Sequence, residues 1–230
     1  MSNKILSIIG VAVLAIVLVV FFFTNKPETI CKTAKDMSLQ NNVSPLVSNF
    51  DFPQNHQLPD EFKSKIVRIN TNCGSFSISF FDSDAPFAVE NFLRLAESGR
   101  LAGAPFHRVI SGFMIQGGDY TKGDGTGGQS AWGRPFPDEL NPETESYKAG
   151  YKRGVVAMAN AGPNTSGSQF FIMHADYPLS HNYTIFGQVI DGMDIIDKIA
   201  GVPVLENSFG EKSVPTEKII IESVSVENRL

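Results

Sequence analysis

Two short stretches of the chain mix side chains that protein interiors seldom combine. In FHRVISGFMIQGGD (residues 106–119), Arg108 and Gln116 stand among Phe113 and Met114. In MANAGPNTSGSQFFI (residues 158–172), Asn160 and Gln169 stand among Phe170 and Phe171. A buried polar group left unpaired costs about 1–3 kcal/mol, so each of these must meet a carboxylate, an amide or a ligand. A cationic donor, carboxamides and apolar rings suit recognition better than bond making. Read singly, Arg108 is an arginine paired to a surface carboxylate, and Phe113, Met114 and Phe171 are core residues. Phe170 reads as core in either case.

Other chemistries fit less well. His107 adjoins Arg108 and invites a general-base reading, but a hydrogen-bonded structural histidine is the better assignment. His174 and His181 have no ligand spacing and no nearby cysteine, which speaks against a metal site. GDGTGG (residues 123–128) resembles a phosphate loop, yet no Lys-Ser/Thr follows it and no βαβ setting surrounds it. Ser166 and Ser168 lack a nucleophile elbow and a matched base. Asp138 and Glu139 read as residues that fix loop backbone, not as an acid-base pair.

The elements around these residues are short. Residues 66–70 and 75–81 flank a Gly-containing turn and predict a hairpin. Pro86 opens a helix in which Val89, Phe92, Leu93 and Ala96 share one face, and Gly99 ends it. A second helix is expected over residues 193–200, and a last strand over 218–227, where Val224 and Val226 alternate with polar residues. Many short strands with helices at two points suit a mainly β fold, a closed antiparallel barrel with helices over its ends.

The chain closely resembles the cyclophilins, a family of peptidyl-prolyl cis-trans isomerases, from about residue 65 to 226. The resemblance rests on the two stretches above together with GDGTGG, FPDE (136–139) and IFGQV (185–189), in that order. It implies a closed eight-stranded antiparallel barrel capped by two helices, with a substrate groove on its outer face. It also implies that Arg108 is the donor to the prolyl nitrogen, with Phe113 and Gln116 completing the catalytic set. Met114, Phe171 and Leu179 would line the proline pocket, Ala159 and Asn160 would hold the peptide backbone, and Gly125, Gln169 and Tyr183 would border the groove. The implied partners are proline-containing, unfolded or flexible polypeptides, with no metal or other cofactor. The chain departs from the family pattern at DYPLSHN (176–182), where Pro178 replaces the aromatic residue that often precedes the leucine. Cyclosporin is therefore expected to bind only weakly. A non-catalytic module that binds proline peptides is the alternative, and Arg108 is the residue such a module could dispense with.

The composition excludes little else. A formal net charge of -5 argues against nucleic acid as a partner. Residues 5–23 form a run of about 19 largely apolar residues, about 28 Å as a helix and enough to cross a bilayer. The run ends in Phe21, Phe22 and Phe23, without small residues of the A-x-A kind, so an uncleaved transmembrane anchor over residues 1–25 is favoured over a signal peptide. Lys4 precedes the run, and Lys26, Lys32 and Lys35 follow it. That count alone would keep the domain in the cytoplasm, but N-terminal apolar segments most often direct export, so a single-pass protein of the cell membrane with an extracytoplasmic domain is expected. Residues 26–62, with four prolines and no apolar period, read as a flexible tether reaching roughly 33 Å, and residues 63–230 as the isomerase domain. Cys31 and Cys73 read as unpaired thiols.

Overall fold

The computed structural model describes residues 30–34, 37–40, 44–46 and 51–229. The expected membrane span over residues 5–23 lies outside them. No helix among the described residues is long and apolar enough to cross a membrane.

Within the unit Cys31–Leu230, ten strands and three helices follow a 3-10 turn at Asp60–Phe62. They are β1 (Lys65–Thr71), β2 (Gly74–Phe80), α1 (Pro86–Glu97), β3 (Phe106–Ile110), β4 (Met114–Gly117), α2 (Glu145–Ala149), β5 (Val155–Met158), β6 (Phe170–Met173), β7 (Ile185–Asp191), α3 (Met193–Ala200), β8 (Val204–Glu206), β9 (Lys212–Pro215) and β10 (Ile221–Asn228). Eight strands form one antiparallel sheet in the order β10-β1-β2-β7-β5-β6-β4-β3, and β8 pairs with β9 as a separate hairpin. The expected hairpin and both expected helices are present. The short helix α2 and the β8–β9 hairpin were not foreseen.

The closed barrel is corrected to a curled half-barrel. No ladder joins the edge strands β3 and β10. They meet at a single bridge, Pro105 to Ile220, with backbone bonds from Phe106 to Ile219 and from Ile221 to Ala104. Strand β9 lies against β3.

The concave face holds the main core. Phe76, Phe92, Phe106, Phe170 and Phe186 are each at most 1% exposed. Phe92 touches Phe170 and Phe186 with ring centroids 5.2 and 5.4 Å apart. Burial of each ring stabilises the fold by about 1.5–3 kcal/mol. Helix α1 enters this core with the four apolar residues that its spacing predicts, all buried. Its N-cap, Ala85, offers no side-chain acceptor. Glu139 supplies one from the FPDE loop, accepting the N–H groups of Phe87 at 2.9 Å and Ala88 at 3.0 Å. The carboxylate thereby satisfies two of the helix's orphan donors.

Described residues of the segment expected as a flexible tether are held against the domain. Cys31 and Cys73 form a disulfide with Cα atoms 4.4 Å apart, correcting the reading of two unpaired thiols. Asn72, beside it, donates to the carbonyls of Lys32 and Lys218 and accepts from the N–H of Ile220. Gln40 and Leu46 bond the backbone of Tyr120 and Ala131, Leu58 and Phe62 are buried, and Phe52 packs edge-on against Phe87 and Trp132. The strap is fixed by isolated anchors and not by a repeating face, which explains why periodicity did not reveal it.

Burial pushes the Glu139 carboxyl up to about 7, outweighing the two amide donors. A carboxyl that binds its proton more tightly when folded than at the ordinary 4.5 lowers stability as pH rises from about 4.5 to about 7, and adds no slope above that. Denaturant titrations at pH 5 and pH 8 should show this slope in the wild type and its loss in Glu139→Gln. Glu139→Ala should cost about 1–3 kcal/mol at pH 5, where the carboxyl is protonated, and less at pH 8, where the wild type has already lost stability.

Candidate active site

Register places the polar residues in a row. Arg108 on β3 faces Gln116 on β4, Gln116 faces Phe171 on β6, and Phe171 faces Ala157 on β5. A bulge between Phe106 and Arg108 shifts the side-chain alternation on β3. Phe106 therefore enters the core, where its ring lies 6.1 Å from that of Phe170, while Arg108 emerges on the convex face. The same alternation on β6 sends Phe170 inward and Phe171 to the groove.

The groove consists of two adjoining cavities that share Gln116, Ala159 and Asn160. One, of about 230 Å³, is lined by Arg108, Phe113, Met114, Gln116, Ala159, Asn160, Phe171, Leu179 and Tyr183. The other, of about 290 Å³, adds Gly125 and Gln169. All the site residues expected from the sequence thus line one cavity or the other. The floor of the first is a core cluster that includes Met114, Phe171 and Met173, against which Phe113, Leu179 and Tyr183 pack.

A chain of oriented amides crosses the groove. Arg108 Nη1 donates to Gln116 Oε1 at 3.4 Å, and Gln116 Nε2 donates to Gln169 Oε1 at 3.0 Å. Gln169 Nε2 then donates to the carbonyls of Gly125 and Gly127, both at 2.8 Å. Each donor points away from Arg108, so the carboxamide orientations are mutually determined. The Gly-rich loop at the far end is held by Asp119, which accepts the N–H groups of Thr121, Lys122, Gly125 and Gly127. Burial opposes the charge of Asp119, but these backbone donors hold its carboxyl below the usual range. Gly125, at φ +88°, lies so close to His107 that a Cβ would sit 2.8 Å from its Nε2. Burial keeps the His107 imidazole below its ordinary pKa, in keeping with a structural neutral ring.

Arg108 also has a carboxylate partner. Its Nε donates to Glu211 Oε2 and its Nη2 to Glu211 Oε1, both at 2.7 Å. Arg108 is thus an arginine paired to a carboxylate, as its reading in isolation expects, and it also lines the groove. Sequence reasoning did not find Glu211, which lies 103 positions away in the turn of an unforeseen hairpin. Two other contributors were also missed. Asp119 ends the first motif, just ahead of a glycine cluster, and that position was its only signal. Tyr177 lies 4.5 Å from the Phe113 ring, an aromatic neighbour one residue before Pro178.

The remaining polar side chains support backbone. Asn160 Nδ2 donates to the carbonyl of Asn182, and Tyr151 Oη bridges the backbone N–H and C=O of Tyr183. His174 Nδ1 accepts the Gly112 N–H, and Asp138 exchanges bonds with Asn164. Among the described residues, no group of three or more histidine, cysteine or acidic side chains is arranged to hold a metal.

The fold and groove are shared with known proteins. Residues 66–226 match the family profile of cyclophilin type peptidyl-prolyl cis-trans isomerase/CLD. The human peptidyl-prolyl cis-trans isomerase-like 3 is 46% identical over 144 residues, covering 62% of this chain and 86% of its own length. The Arabidopsis thaliana isomerase CYP18-1 is 50% identical over 132 residues, covering 57% of this chain and 79% of its own. A crystal structure of a Cryptosporidium parvum cyclophilin type isomerase, solved in the presence of the dipeptide Ala-Pro, superposes with a TM-score of 0.62 at 41% identity. That match covers 71% of this chain and 99% of the other. The chain belongs to the cyclophilin family of peptidyl-prolyl cis-trans isomerases and is an isomerase.

Gln169→Ala should break the amide chain at its middle, leaving the carbonyls of Gly125 and Gly127 without their side-chain donor. In a ¹H-¹⁵N spectrum, the glycine signals of residues 123–128 should broaden or shift while those of β1 and β2 stay in place. An unchanged loop would mean that Asp119 alone holds it.

Proposed function

We propose that this chain is a membrane-anchored prolyl isomerase that assists folding near the membrane, with Arg108 as the donor to the substrate's prolyl nitrogen. The observation that carries the catalytic reading is that a guanidinium lines the same cavity as the apolar side chains of Phe113, Met114, Phe171 and Leu179.

Rotation about an X-Pro bond faces a barrier of about 18–20 kcal/mol because the nitrogen lone pair is delocalised into the carbonyl. No bond to carbon breaks and no proton needs to move. The barrier falls when the twisted amide, with its lone pair localised on nitrogen, is bound better than either planar isomer. Arg108 would donate to that lone pair, the cavity would grip the proline ring, and Gln116 would hold the guanidinium in place. The backbone N–H and C=O of Asn160, without partners among the described residues, would pair with the extended peptide. A five-decade acceleration needs about 7 kcal/mol, and one charge-assisted hydrogen bond gives about 1.5–3. The remainder would come from the pocket and the backbone grip. With Pro178 in place of an aromatic residue, cyclosporin would bind weakly.

The membrane part of the proposal rests on the apolar run over residues 5–23. The disulfide between Cys31 and Cys73 favours an extracytoplasmic domain, because such bonds persist in oxidising compartments.

Full-length protein in detergent should accelerate cis-trans exchange of an Ala-Pro peptide, read by NMR, and Arg108→Ala should lower turnover about ten- to a hundredfold. Wild-type turnover equal to buffer would leave only a proline-peptide binder. In intact cells the protein should stay with the membrane fraction and its domain should be open to added protease. A soluble form starting near residues 24–27 would defeat the anchor.

A further inference from the structure

We propose that Glu211 is a positioning residue for the isomerase reaction, one that clamps the plane of the Arg108 guanidinium so that its unspent N–H groups face the proline pocket. The inference rests on the isomerase reading of Arg108 and adds a residue that this reading does not contain.

The hydrogen-bond inventory of Arg108 carries the argument. A guanidinium has five N–H donors. Glu211 takes the one on Nε and one on Nη2, in a two-pronged bond whose legs are both 2.7 Å. Gln116 takes one on Nη1 at 3.4 Å, and the thioether of Met114 lies 3.9 Å from the same nitrogen. Among the described residues, one N–H of Nη2 has no partner, and one of Nη1 meets only that weak acceptor. Both are on the edge of the fork away from Glu211. Without Glu211 the guanidinium would be held by one long bond to Gln116 and a sulfur contact, and a long flexible side chain held so loosely samples several rotamers.

Glu211 is itself held by a built turn. Asn207 Oδ1 accepts the N–H groups of both Phe209 and Glu211, and the Asn207 N–H donates to the Glu211 carbonyl at 2.9 Å. Gly210 passes through φ +79°, the left-handed conformation that the tight turn between β8 and β9 requires. Ser213, two residues on in β9, is buried, and its hydroxyl accepts from Asn207 Nδ2 at 3.5 Å. The carboxyl of Glu211 is kept below its usual range first by the Arg108 bond, so it stays ionised at neutral pH. Both side chains are about one-third exposed, 33% and 36%, which makes the pair a weak contributor to stability. Its two-pronged geometry is suited to orientation.

The test compares turnover of an Ala-Pro peptide by full-length wild type, Glu211→Ala, Glu211→Gln and Glu211→Asp, with kcat and KM resolved. Glu211→Ala should lower kcat about five- to tenfold with KM within about twofold, because the loss is confined to the transition state. The near-isosteric Glu211→Gln keeps one acceptor and should fall between wild type and Glu211→Ala, while Glu211→Asp should recover part of the loss. In an Arg108→Ala background, Glu211→Ala should have no further effect. The Arg108 Nε–H resonance of the free protein, slow to exchange in the wild type, should exchange faster in Glu211→Gln. Wild-type or higher kcat in Glu211→Ala and Glu211→Gln, or an equal loss with Arg108 already removed, would overturn the assignment. A wild type without turnover would instead bring down the isomerase reading itself.

Discussion

The site depends on one constraint, that a guanidinium set on an apolar sheet face must have its donors satisfied from the side. Arg108 lies among Met114, Phe113 and Phe171, and none of these can accept a strong hydrogen bond. Two supports come in laterally: Gln116 from the neighbouring strand and Glu211 from a hairpin outside the main sheet. The cavity beside them is lined by Phe113, Met114, Phe171 and Leu179 together with Gln116, Asn160 and Tyr183.

The rest of the architecture serves these two supports. The bulge in β3 turns Arg108 outward without removing Phe106 from the core. Strand register then sets Arg108 opposite Gln116, and the relay through Gln169 carries the orientation into the Gly-rich loop anchored by Asp119. At the open side of the half-barrel, β9 occupies the flank of β3. The hairpin that delivers Glu211 thus lies against the strand that carries Arg108. Rigidity of this kind is what binding a twisted amide requires, since a donor that follows the substrate between planar isomers stabilises each of them equally.

The groove residues were named through the cyclophilin resemblance, most of them in two motifs whose strands β4 and β6 are neighbours in the sheet, with Gly125, Leu179 and Tyr183 outside them. Val89, Phe92, Leu93 and Ala96 likewise announced α1 by spacing alone. Legibility ended where contacts join distant positions through single side chains. Glu211 meets Arg108 across more than a hundred residues, and its hairpin has no alternation long enough to mark it. The described residues between Cys31 and Phe62 are anchored by a disulfide, by the carbonyl of Lys32 on Asn72 and by a few aromatic contacts, none of which leaves a periodic trace. Glu139 was read as a loop-fixing residue, but its service to α1 could not be, since the helix it caps lies about fifty positions earlier. Barrel closure was overestimated because alternation reports which faces of strands are buried and says nothing about whether edge strands meet.

A crystal structure of the full chain or its described unit with a bound Ala-Pro peptide tests the central claim most directly. The account predicts the proline ring in the cavity formed by Phe113, Met114, Phe171 and Leu179, with an Arg108 Nη hydrogen directed at the prolyl amide while Nε and Nη2 keep their bonds to Glu211. A peptide seated elsewhere, or an Arg108 that leaves Glu211 to reach the substrate, would contradict it.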